Sequence, residues 1–199
     1  RDTDRSRGLG DVYKRQLMLN LVNDVLDLSR METGDLHFDI KDHLLLVCCQ
    51  MALESVRHRI PDGVKLTFSP AGEPIVVHVD NLRLQQLLTN LLTNAAKFTE
   101  KGEINLSFQL EPDRKKVCIA VTDTGAGIPL EKQATIFNRF EKLDDYKPGV
   151  GLGLSICLLI AERLDGALFI DSSYTDGARF VLILSCEIDS SIYNPPIEV

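Results

Sequence analysis

The sequence predicts an α+β domain: a mixed, mostly antiparallel sheet with helices on one face, preceded by one long helix. Three observations carry that expectation. Leucines recur at helical spacing from Leu84 towards Phe98, two neighbouring segments alternate apolar and polar residues at strand spacing, and the patterns come in blocks of helices and strands.

The 199 residues have room for one domain of ordinary size and a flanking element. With 44% hydrophobic and 26% charged residues, the composition is that of a globular protein. No apolar run approaches the roughly 18–20 residues a membrane span needs, and residues 1–16 lack the apolar core of a secretory signal. A longer, membrane-anchored parent remains compatible with both points. The formal charge of −7 argues against nonspecific nucleic-acid binding and requires a local positive pocket for any polyanionic ligand. Cys48, Cys49, Cys118, Cys157 and Cys186 are odd in number and lack CxxC spacing, so they read as free thiols in a reducing, cytoplasmic setting.

Residues 1–16 are polar and read as foreign to the fold or disordered, resembling adaptor-derived sequence. Met18, Leu21, Val25 and Leu28 then alternate spacings of three and four, a heptad seam. Extended backward, the seam would fall on Lys14 and Asp11, so its apolar face stops abruptly. This helix ends near Gly34, and a second is expected over about 42–56. Short strands are expected at 64–68 and 75–78, split by Ser69-Pro70-Ala71-Gly72.

Asp80 suits the N-cap of a long helix reaching Phe98, whose core stripe is Leu84, Leu87, Leu88, Leu91, Leu92, Ala95 and Phe98. A β-hairpin follows, with Ile104, Leu106, Phe108 and Leu110 on one face of its first strand and Val117, Ile119 and Val121 on one face of its second. A glycine-punctuated stretch leads to an apolar helix through Leu164. Two last strands, at about 167–171 and 178–184, flank Asp176-Gly177, and 187–199 reads as a truncated linker.

Three clusters carry chemistry. Asn90, Asn94 and Lys97 are spaced i, i+4, i+7 and share one stripe beside the leucine face, where amides and an ammonium can hold a metal ion and its phosphates. Asp123-Thr124-Gly125-Ala126-Gly127-Ile128-Pro129 follows an apolar strand: a carboxylate there can accept from an adenine amine, and glycines let backbone approach a flat base. Gly149-Val150-Gly151-Leu152-Gly153-Leu154 opens the apolar helix, whose N–H groups and positive dipole end suit phosphate oxygens. Neither a Walker lysine nor the dinucleotide-binding context accompanies these glycines.

Together, Gln86–Thr99, DTGAGIP at 123–129, IFNRFEKLD at 136–144 and GVGLGLSI at 149–156 resemble the N, G1, F and G2 boxes of bacterial sensor histidine kinases, in the GHKL ATPase superfamily. The resemblance covers about Leu17 to Leu184 and implies a two-layer α/β sandwich of Bergerat type at 36–186, with 17–35 the remnant of the second helix of a dimerisation and phosphoacceptor domain. It implies ATP and Mg²⁺ as cofactors, with Asn94 as metal ligand supported by Asn90, Lys97 reaching the phosphates, and Phe98 bordering the pocket. Asp123 would bind adenine in a pocket shaped by Gly125, Gly127 and Ile128. Gly149, Gly151, Leu152, Gly153 and Leu154 would present backbone to the phosphates. Phe137 and Phe140 would pack a lid running from about Leu130 to Pro148. Arg139 would contact the γ-phosphate on closure, while Lys132, Lys142 and Lys147 read as solvated lid charges.

Hydrolytic branches of the superfamily carry a glutamate base four residues before the metal-binding asparagine. Here that position is Asn90, which cannot take a proton at neutral pH, so the site suits transfer better than hydrolysis. Val150 stands where a small hydroxyl residue is common, and Gly166 is single where the family often has a glycine pair. The family also needs an acceptor histidine opening an acidic-then-basic motif. None of His37, His43, His58 and His78 begins one, so the acceptor is expected on another segment of the kinase, from which a response regulator receiver domain takes the phosphate. The resemblance implies a homodimer for the intact kinase. The rival readings are an anti-sigma-type serine kinase of the same fold, or a non-catalytic nucleotide- or protein-binding module.

Overall fold

A computed structural model describes residues 18, 22, 25–30, 33–112, 115–144 and 150–188. Residues 25–30 are helical (α1). The seam residues Met18 and Val25 are exposed, as is Val22 beside them, but Leu28 is buried and belongs to the main core; Leu21 and residues 1–16 lie outside the described residues. Asp27 anchors the same turn, its Oδ2 accepting from Arg83 Nη1 at 3.0 Å and from Gln86 Nε2 at 3.0 Å. The helix end therefore has a partner within the chain, in apolar contact and in charge.

The stretch expected to open the second helix divides in two. Lys41–Leu44 is a strand (β1), and the helix α2 runs Leu45–Val56. Pairing decides this: Lys41 to Leu44 lie antiparallel to Ile75–Val79 (β3), with Asp42 opposite His78. Four residues carry too little periodicity to announce a strand, and β3, which fixes them, is over thirty residues away. A short 3-10 turn, Arg57–Arg59, follows α2 and leads to β2, Val64–Ser69.

The long helix α3, Asn81–Phe98, follows expectation. Asp80 caps it, accepting from the Arg83 N–H, and its leucine stripe is buried throughout. Leu88 is fully buried, so Leu88→Ala is expected to cost about 2–5 kcal/mol in urea denaturation; a cost below about 1 kcal/mol would contradict this packing.

The hairpin pairs β4, Gly102–Leu110, with β5, Lys116–Asp123, in the register Leu110 opposite Val117. After a short helix α4, Leu130–Gln133, come α5, Gly153–Arg163, then β6, Ala167–Ile170, and β7, Ala178–Ile188. The sheet order is β1-β3-β7-β5-β4-β2, with β6 also on β7. Pairings are antiparallel except β2 with β4. One edge of β7 pairs along its length with β5; the other serves β6 and then β3. The core forms where the inward residues of these strands meet α2, α3 and α5. No helix among the described residues is long and apolar enough to cross a membrane.

Candidate active site

The strand alternation that builds the core also delivers a buried carboxylate. Val117, Ile119 and Val121 face inward along β5, and Asp123, two residues on, is buried on the same face. Its Oδ1 accepts from the Gly125 N–H at 2.9 Å and from the Ala178 N–H at 3.3 Å. Oδ2 has no partner among the described residues, and Asp123 lines a cleft of about 490 Å³. Burial pushes the Asp123 carboxyl above the usual aspartate range, opposed by the two backbone hydrogen bonds.

Gly125 stands behind this carboxylate. A Cβ there would overlap the Phe98 carbonyl oxygen and lie 2.8 Å from Thr99 Oγ1 and 2.9 Å from Asp123 Oδ1. Thr99 Oγ1 is itself buried without a hydrogen-bond partner among the described residues. Gly127, at φ 69°, needs the left-handed region and lines the cleft with Ile128. Ala178 and Phe180 of β7 close the same end, and Phe137 packs edge-on against Phe180 with centroids 6.2 Å apart.

The other end belongs to α3 and α5. Asn90, Asn94 and Lys97 all line the cleft, as their shared helical stripe predicts, and Lys97 Nζ sits 4.8 Å from the Phe98 ring centroid. Gly151, Leu152, Gly153 and Leu154 line it too, so the N-terminus of α5 opens into the cleft. A Cβ on Gly153 would lie 3.9 Å from Asn90 Nδ2, which measures how closely α5 approaches the asparagine stripe. Cys157 Sγ donates to the Leu87 carbonyl at 3.6 Å and ties α5 to α3.

Of the residues expected from the sequence, Gly125 supports Asp123 from behind rather than lining the cleft. Gly149 lies outside the described residues, as do Lys147 and Pro148. Arg139 is exposed and is not among the lining residues in this arrangement, whereas Lys142, read from sequence as a solvated charge, is. Lys132 pairs with Glu141 at 2.8 Å. Phe140 is exposed at φ 63°, with Gly151 at φ 78° beneath it; a Cβ on Gly151 would lie 2.6 Å from the Glu141 carbonyl oxygen. Arg59 lines the cleft from the 3-10 turn and was not anticipated; no local motif marks it.

The thiols are free, with Cys48, Cys49 and Cys157 buried. Burial pushes Cys49 up strongly and Cys48 to about 11, so neither is a nucleophile at neutral pH. The histidines lie away from the cleft lining: His78 is on β3, its Nδ1 2.7 Å from Asp42 Oδ1, and His43 is on β1.

A curled, mostly antiparallel sheet with helices on one face and the cleft between α3 and α5 is the Bergerat sandwich of the GHKL ATPases. The family model for histidine kinase-, DNA gyrase B- and HSP90-like ATPases matches residues 79–188, more than half of the chain, and the chain belongs to this family. Among similar proteins, Two-component system protein A of Emericella nidulans is 37% identical over 164 residues, 76% of this chain and 24% of that protein. Hybrid signal transduction histidine kinase A of Dictyostelium discoideum is 31% identical over 184 residues, 85% of this chain and 9% of that protein. The full-length ShkA crystal structure, in complex with AMPPNP, superposes with a TM-score of 0.82 at 26% identity, covering 93% of this chain and 39% of that one. The chain thus spans about a tenth to a quarter of the length of these curated relatives. Within the family it is a catalytic ATPase domain of the histidine kinase type.

Proposed function

We propose that this chain binds Mg·ATP and, within a two-component sensor kinase, transfers the γ-phosphate to a histidine on a separate phosphoacceptor segment. The observation that carries this reading is the two-ended cleft. One end offers a buried carboxylate whose Oδ1 is clamped and whose Oδ2 is left as an acceptor; the other offers two amides, an ammonium and a helix N-terminus. That pairing suits a base with an exocyclic amine at one end and phosphates at the other.

The donor set suits magnesium. Mg²⁺ takes oxygen ligands at about 2.0–2.1 Å and keeps several waters, so the Asn94 amide oxygen, with Asn90 beside it, can hold an ion that shares its remaining ligands with phosphate. Among the described residues no cluster of three His, Cys, Asp or Glu could hold a metal alone, which fits an ion carried in with the nucleotide. When bound, Mg²⁺ neutralises charge on the phosphates. Lys97 adds a second positive centre, and the backbone at Gly151 and Gly153 orients the phosphate chain.

Asn90 stands where hydrolytic relatives place a base, so no side chain there activates water, and transfer is favoured over hydrolysis. The α1 segment supports the two-component setting as the exit of a phosphoacceptor-domain helix, held to the catalytic domain by Asp27 and Leu28. A homodimeric kinase, a receiver domain as the next phosphate acceptor and a reducing cytoplasmic compartment complete the proposal.

Calorimetry with and without Mg²⁺ tests it. Asn94→Ala is expected to weaken ATP binding about tenfold in Mg²⁺ and to leave binding in EDTA unchanged. An unchanged magnesium dependence in the variant would remove Asn94 as the metal ligand.

A further inference from the structure

The packing of α2 on α3 carries an arginine to the cleft that no sequence pattern announces. Gln85 Nε2 donates to Met51 Sδ at 3.3 Å, and one turn on Ser55 Oγ meets Thr89 Oγ1 at 3.2 Å. Both pairs are offset by 34 residues, so the two helices run parallel in register. The 3-10 turn continues past Ser55 in the same direction, and its Arg59 lines the cleft together with Thr93 of α3. Thr93 lies on α3 between Asn90 and Lys97, towards the asparagine end.

Helix α3 serves as a ruler along the site. Phe98 and Asp123 mark the base end, and at about 1.5 Å per residue Asn94 lies roughly 6 Å from Phe98 and Asn90 roughly 12 Å. Arg59 is thus beside the part of α3 farther from the base, beyond Lys97. Its charge is uncommitted there. Nε donates to His58 Nε2, at 3.4 Å, and no carboxylate among the described residues pairs with it. Arg57, Arg83 and Arg179 each have a carboxylate partner, at 3.0, 3.0 and 3.3 Å. In a chain with net charge −7, an arginine facing the cleft without a carboxylate partner supplies the local positive potential that a polyanion requires.

We propose that Arg59 binds the terminal phosphate of the nucleotide and sets a preference for triphosphate over diphosphate. The inference rests on the nucleotide reading above and adds to it a residue on a different helix. A guanidinium presents a planar fork that matches two phosphate oxygens, which a lysine cannot reproduce. Because Arg59 is exposed and ends a turn, its replacement leaves the core untouched.

The test is calorimetry with Mg·ATP and Mg·ADP on the wild type, Arg59→Gln and Arg59→Lys, each with a thermal melt. Arg59→Gln is expected to weaken Mg·ATP about tenfold and Mg·ADP by less than about threefold, with an unchanged melt. Arg59→Lys is expected to fall between wild type and Arg59→Gln for ATP. Equal ATP affinity in wild type and Arg59→Gln, or an equal loss for ATP and ADP, would overturn the assignment. A wild type that binds neither nucleotide would instead sink the nucleotide reading itself, a result visible before any variant is compared.

Discussion

Asp123→Asn is expected to weaken ATP binding by about a hundredfold while leaving the protein as stable as the wild type, or more so. The two effects separate because the two carboxylate oxygens have separate tasks. Oδ1 accepts from the Gly125 and Ala178 N–H groups, and an asparagine oxygen can keep both bonds. Oδ2 is the acceptor left for the base, and an asparagine places an NH₂ donor there against the donor amine of adenine.

Stability moves the other way for a reason of sign. Burial raises the folded-state pKa of Asp123 above its ordinary value of 3.8, so the folded protein holds this proton more tightly than the unfolded chain does. The stability contributed by the protonated group is complete below 3.8 and is lost as pH rises through the raised value; above that value the burial cost stands in full. Asparagine carries no such cost, so its advantage should appear at neutral pH and vanish in strong acid. The same direction predicts that wild-type ATP affinity declines on acidification at a higher pH than an ordinary aspartate would give. A large drop in the melting temperature of Asp123→Asn at neutral pH would contradict this division of roles.

Gly177→Ala is expected to damage fold and site together. A Cβ at Gly177 would overlap the Asp123 carbonyl oxygen, and it would lie 2.8 Å from the Asp123 carbonyl carbon and 2.9 Å from the Gly125 nitrogen. All three are backbone atoms, held where β5 meets β7 with Asp123 opposite Ala178. No side chain can rotate away, so the strand end itself must shift. We expect a cost of about 3 kcal/mol, a melting temperature lower by roughly 6–12 °C, and loss of ATP binding as Asp123 moves. Gly153→Ala is the control. Its Cβ meets nothing closer than 3.9 Å and adds a better helix former to α5, so stability should stay within about 1 kcal/mol of the wild type. Equal melts for Gly177→Ala and wild type would contradict the close approach of β7 to the Asp123 loop.

Periodicity made the central elements legible. The stripe from Leu84 to Ala95 is buried as its spacing demands, and the same spacing puts Asn90, Asn94 and Lys97 on one flank facing the cleft. Alternation along β5 likewise turns Asp123 inward. Residues whose place is set by distant partners were not legible. Lys41–Leu44 becomes a strand because β3 pairs with it, and Leu28 is buried against residues that its heptad seam does not name. Arg59 reaches the site through the parallel packing of two helices 34 residues apart in register, which no local pattern encodes. The cations after α4 show the same limit: the cleft is lined by Lys142, which reads from the sequence as a solvated charge.

In the proposed reaction this chain supplies the ATP site and another segment supplies the histidine. The direct measurement incubates the chain with γ-labelled ATP, Mg²⁺ and a separately produced phosphoacceptor helical hairpin from a sensor kinase relative. Acid-labile label is expected on the hairpin and none on His37, His43, His58 or His78 of this chain. Acid-stable label, label on this chain's own histidines, or release of phosphate with no transfer would contradict it.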